Sequence, residues 1–182
     1  MSRFMSSPLP DEELTPIKGN APRSAKEWAV KWYFLFRSKD MDYGHAMADA
    51  ELKVTEVEVQ GHVDDPEQKE VRMVSEVEVI PGMCDGHGIL SQGCMALIID
   101  EGSAIALLVH NVLQGAPNII GVSQSINIMF HASAPVGTKL RIISRSVTAG
   151  GTLDTCRCEI WDNDKHKLIA SGVQNQAQRS RL

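Results

Sequence analysis

Clustered positive charge, cysteine pairs and uninterrupted apolar runs are all scarce in this chain. Its 182 residues carry 18 Lys and Arg against 23 Asp and Glu, a formal net charge of -5. Nucleic-acid binding draws on gathered cations, and here they are scattered, which excludes a phosphate-backbone binder but not a small anionic ligand. The cysteines, Cys84, Cys94, Cys156 and Cys158, form no CxxC pair and sit in apolar or alternating surroundings. That pattern reads as reduced core thiols of an intracellular protein. The histidines offer no HExxH and no Cys/His spacing suited to zinc, so neither a metal nor another cofactor is expected. The one long apolar run, Met95 to Val109, is interrupted by Asp100 and Glu101 and falls short of the roughly 20 residues a membrane helix needs. A soluble single domain without a membrane partner is the expectation, and 43% apolar with 23% charged residues suits it.

What is present is ordered by its periodicity. Residues 1–23 mix Pro, Ser and acids with neither an apolar signal core nor an Arg-rich presequence, and read as a loosely ordered arm. Ser24 and Glu27 fit an S-x-x-E capping box, and Trp28, Trp32, Leu35 and Phe36 follow on one helical face, predicting a helix from Ser24 that Gly44 interrupts before a segment ending near Ala50. LKVTEVEV (52–59) and EVRMVSEVEVI (70–80) alternate, with turn chemistry between them, and predict an antiparallel hairpin. Ser91 is a good N-cap for a helix running to about Asn111, apolar nearly all round and therefore buried. Four alternating segments follow: GVSQSINIMF, TKLRIISRSVT, TLDTCRCEIW and KLIASGVQNQA. Such a helix is satisfied only by enclosure, so the economical α+β packing is an antiparallel sheet wrapped around it, with the extra helix outside.

Within the stretch MALIIDEGSAIALLV, the acid at Asp100 needs a reason, because an unpaired buried charge is costly. Either the helix bends there, eased by Gly102 and Ser103, with Asp100 as a cap, or the carboxylate is held beside something that requires it. Glu101, one helical step away, reads as a solvated or paired neighbour. A carboxylate fixed on a rigid helix suits a general base, and free N–H groups at a helix start suit a developing oxyanion.

GILSQGCMALIIDEGSAIAL, followed by GVSQSINIMFHASAPVGTKL, resembles the small hotdog-fold acyl-CoA thioesterases of the phenylacetate-pathway and thioesterase-superfamily type, over about residues 50 to 178. The family carries a His-Gly-Gly signature at the start of the central helix and a catalytic acid eight residues after its first Gly. Here Ser91-Gln92-Gly93 stands at the signature, and Asp100 lies eight residues after Gln92. The acid is retained and the His is not. The resemblance implies Asp100 as general base, the Gln92 N–H as oxyanion donor and Ser123 as holder of the water or the carboxylate. It places Asp85, Ser91 and Gly93 at the substrate. It also implies an obligate homodimer, often a dimer of dimers, since the helix start comes from one subunit and the acid and serine from its partner.

Residues 24–178, with an N-terminal helical part over 24–50, are thus expected to form one hotdog domain that hydrolyses acyl-CoA to free acid and CoA. A non-catalytic acyl-CoA binder is the alternative, favoured by the altered signature. An enoyl-CoA hydratase is weaker, because it would need a His five residues after Asp85, where Leu90 stands. Lys139, Arg141 and Arg145 share a strand face that reads as solvated, though it could meet CoA phosphates. In the tail, residues 179–182, Ser180-Arg181-Leu182 resembles the small-basic-Leu peroxisomal address, implying an import receptor as partner and peroxisomal rather than cytoplasmic residence.

Overall fold

A computed structural model describes residues 3–37, 47, 49–62, 64–116, 120–149 and 151–177. Short helices α1 (Arg3–Ser6) and α2 (Asp11–Leu14) precede α3 (Arg23–Phe36). Then come β1 (Lys53–Gly61), β2 (Lys69–Glu78), the long helix α4 (Gln92–Leu113), and β3 (Val122–Phe130), β4 (Lys139–Thr148), β5 (Leu153–Asp162) and β6 (Lys167–Ala177). All strand pairs are antiparallel, in the order β1-β2-β4-β5-β6-β3. The helix α4 leaves beside β2 and delivers the chain to the far edge, where β3 pairs, among the described residues, only with β6.

The strands form where residues alternate, and their inner faces meet α4. Leu140, Ile142, Cys156, Cys158, Ile160 and Ala170 are all 1% exposed or less. By length and composition α4 could cross a membrane, a possibility its interrupted apolar run did not suggest, but 72% of its most apolar window is buried inside the protein. Two apolar clusters divide it: Met95, Ile98 and Ile99 pack with β2, β4, β5 and β6, while Ile105, Leu107 and Val109 pack with α3 and the N-terminal residues. Between them, the Tyr33 and Ser75 hydroxyls lie 3.2 Å apart and the Ser144 hydroxyl donates to Cys158 Sγ at 3.3 Å. Burial pushes the Tyr33 phenol well above its ordinary range, so it stays protonated and can donate.

Three expectations are corrected. Residues read as a loose arm are packed: Leu9, Leu14, Ile17 and Ala21 are buried against the α3 cluster, and Lys18 bridges in parallel to Glu56. The S-x-x-E capping box does not form, because α3 begins one residue earlier after Pro22 while Glu27 accepts from the Leu9 N–H and pairs with Lys31. Finally, the most buried face of α3 is Ala25, Ala29 and Tyr33, with Trp28, Trp32 and Phe36 only half-buried beside it. Small residues let the helix axes approach, which a row of indoles would prevent. The predicted break at Gly44 lies outside the described residues.

Candidate active site

Helix α4 runs unbroken from Gln92 to Leu113, so Asp100 is neither a cap nor at a break. Its carboxylate instead meets two side chains far away in sequence. Ser123, near the start of edge strand β3, donates its hydroxyl to Asp100 Oδ1 at 2.9 Å. Gln174, on β6, donates Nε2 to the same Oδ1 and also to Ser123 Oγ, the latter at 2.8 Å. Among the described residues Asp100 Oδ2 accepts no hydrogen bond. One oxygen is anchored and the other is free.

Two backbone devices make this meeting possible. The β3–β6 register shifts between Ser123 and Ser125, and such an irregularity re-aims the side chain beside it. On β6, a Cβ at Gly172 would lie 2.9 Å from an Ile99 methyl carbon and 3.1 Å from the Asn127 carbonyl. Glycine there lets α4 settle close to β6, immediately beside Asp100.

The start of α4 forms a second, separate group. Ser91 caps the helix, its Oγ accepting from the Cys94 N–H at 3.1 Å while its own N–H donates to the Met83 carbonyl at 3.0 Å. Ser91 thus holds the helix start in place, and its hydroxyl keeps a proton to donate. The Gln92 and Gly93 N–H groups have no partner among the described residues, and both point from the positive end of a long helix. Asp85 Oδ1 accepts from the His87 and Ile89 N–H groups at 2.9 and 3.2 Å, closing the loop before the helix and holding its carboxyl below the usual range. A cleft of about 510 Å³ is lined here by Asp85, Ser91, Gln92, Phe130, His131 and Ser133. Gly93 is not among the residues lining it. A larger apolar cavity of about 800 Å³ between α3 and β1 holds none of the residues singled out in the sequence.

The predicted trio therefore splits. Asp100 and Ser123 come together, but Gln92 precedes Asp100 by eight helical residues, about 12 Å at 1.5 Å each. Gln174 was missed by the sequence reading. Its signal was there: Ala170, Gly172, Gln174 and Gln176 share one strand parity, and a glutamine among inward positions asks for a partner. Glu101 proves to be paired: it accepts from Arg37 at 2.9 and 3.2 Å.

Residues 87–169 match the family described as the thioesterase superfamily. Mouse acyl-coenzyme A thioesterase 13 is 29% identical over 101 residues, which span 56% of this chain and 69% of the mouse protein. The structure of zebra fish thioesterase superfamily member 2 superposes with a TM-score of 0.64 at 22% identity, covering 82% of this chain and 96% of that one. A Streptococcus pneumoniae hypothetical thioesterase solved with coenzyme A gives 0.52 at 16% identity, covering 60% and 84%. The sequence match and the helix-wrapping sheet agree: over residues 87–169 this chain is similar to the thioesterase superfamily, and it has the hotdog fold of the thioesterase structures.

Proposed function

We propose that the protein is an acyl-CoA thioesterase, cleaving an acyl-CoA to the free acid and CoA. The observation that carries this reading is the Asp100 carboxylate, held at Oδ1 by Ser123 and Gln174 and free at Oδ2. Oδ2 takes a proton from a water as the water oxygen bonds to the thioester carbonyl carbon. The carbonyl oxygen becomes an oxyanion, stabilised by the Gln92 N–H and the dipole of α4. Collapse breaks the C–S bond, and the departing thiolate takes up the proton that Asp100 accepted, which returns the carboxylate.

A separation of about 12 Å prevents Asp100 and the Gln92 N–H of one chain from serving one carbonyl. The reading therefore includes a homodimer in which each site joins the helix start of one copy to the acid of the other. Edge strand β3 supports it: its outer backbone is unpaired among the described residues, and Val122 and Met129 are 53% and 67% exposed. A further pairing of dimers, and peroxisomal import through the tail residues 180–182, belong to the same proposal. An N-terminal fluorescent fusion that remains cytosolic would remove the import part.

Thiol release measured over short, long and aromatic acyl-CoAs tests the activity, and light scattering tests the dimer. A monomer with full activity overturns the shared site. CoA binding without thiol release on any substrate favours the non-catalytic acyl-CoA binder.

A further inference from the structure

We infer that Gln174 is a positioning residue for this hydrolysis, orienting the Asp100 carboxylate so that Oδ2 alone faces the reacting water. The inference rests on the thioesterase reading and extends it to a residue outside the matched segment, which ends at residue 169.

The geometry gives Gln174 an unusual place. Its side chain is fully buried, at 0% exposure, and its single amide nitrogen serves both Asp100 Oδ1 and Ser123 Oγ. Its Oε1, equally buried, has no hydrogen-bond partner among the described residues. A buried carbonyl oxygen left bare bears the full desolvation penalty of that group. Turning the amide over would not relieve that cost, because it would press Oε1 against the carboxylate of Asp100. The side chain is thus held in an orientation that serves the acid at the expense of its own oxygen, a local inconsistency of the kind found at functional sites.

The consequence for Asp100 is a defined plane. A carboxylate turns about its last bond through a broad, nearly two-fold well, so Ser123 alone, on an exposed edge strand, would leave both oxygens interchangeable. Gln174 comes from β6, an interior strand paired on both sides with β5 and β3. Two donors from two strands on one oxygen fix the plane, and the Ser123 hydroxyl is oriented in the same act because its lone pair accepts from Gln174.

Replacing this glutamine should therefore separate activity from stability. Gln174→Met keeps the volume, removes both hydrogen bonds and also removes the bare Oε1. The expected result is a kcat lower by up to roughly 10²-fold with KM within about 2-fold, the loss that misplacement of a reacting group produces. The melting temperature should hold or rise. A residue with only a packing or structural role would give the reverse pairing, a lower melting temperature with kcat intact. Combining the change with Asp100→Asn supplies the second readout. If Gln174 acts through Asp100, Gln174→Met changes the residual rate of Asp100→Asn by less than about 2-fold, whereas equal losses in both backgrounds overturn the inference. Should Gln174→Met fail to fold, Gln174→Asn, which withdraws the amide by one carbon, carries the same test and must lose kcat with KM unchanged.

The failures are distinguishable. Activity lost in Asp100→Asn but retained in folded Gln174→Met overturns this inference and leaves the thioesterase reading standing. Full activity in Asp100→Asn, or no hydrolysis by the unaltered protein across the substrate panel, overturns both.

Discussion

Arg37 at the end of α3 and Glu101 on α4 form an ion pair with an Nη2···Oε2 distance of 2.9 Å and side chains only 7% and 5% exposed. It clamps the outer helix to the central one a single residue beyond Asp100. Among the described residues Arg37 Nη1 has no partner, and burial raises the Glu101 carboxyl by more than the guanidinium lowers it. The pair is therefore asymmetric. Glu101→Leu strands a cation that cannot shed its charge and should cost about 3–5 kcal/mol, read from urea melts. Arg37→Met should cost less, because the remaining carboxyl can take up a proton. The double replacement should recover most of the loss; equal costs for the two single changes would contradict the asymmetry.

Asp100→Asn keeps the shape of the side chain but cannot accept a proton from water. Thiol release should fall by roughly 10²- to 10⁴-fold. The melting temperature should hold or rise, since a neutral amide escapes much of the desolvation that a half-buried carboxylate bears. A calorimetric scan alongside the activity assay checks both halves.

Gln92 offers a substitution that deletes one donor while sparing the fold. Its N–H has no partner among the described residues, Pro is favoured at the first helical position, and Ser91 before it already has the extended backbone that precedes proline, with φ -69° and ψ 147°. Gln92→Pro should lose about 10²- to 10³-fold in kcat with little change in stability. Gln92→Gly should retain activity or gain it, because the side chain takes no part. An unimpaired proline variant would remove this N–H from the mechanism.

The loop before α4 should loosen in acid. The His87 and Ile89 N–H groups hold the Asp85 carboxyl below its ordinary 3.8. A group depressed in the folded state contributes stability that is present above 3.8 and is lost as pH falls through the folded value. Amide exchange at His87 and Ile89 should therefore speed up in that acid window, and Asp85→Ala should make exchange fast at every pH. A pH-independent rate in the unaltered protein would show that the carboxylate does not hold the loop.

What the sequence revealed and what it hid follow from the range of each interaction. The strands and α4 are legible because alternation and an N-cap at Ser91 are local patterns, and the acid at Asp100 stands out against its apolar neighbours. Gln174 meets Asp100 across 74 positions, a contact no local period encodes. The burial of Leu9, Leu14 and Ile17 was hidden for a related reason: each stands alone among prolines and polar residues with no helical or strand period, and only the groove they fill makes them core. On α3 the large aromatics masked the Ala25–Ala29 face, because hydrophobicity was more conspicuous than fit.

The position of β3 at the sheet's far edge also dictates an order of assembly. Its one partner among the described strands, β6, is also the last of them in sequence, so β3 must wait until β4, β5 and β6 have been made before it can dock. Asp100, Ser123 and Gln174 are drawn from the helix and from those two strands. Contacts of such long sequence separation close late and slowly. A chain emerging from the ribosome would thus complete its hairpin and bury much of α4 while still inert, gaining its organised carboxylate only when the final strand zips into place.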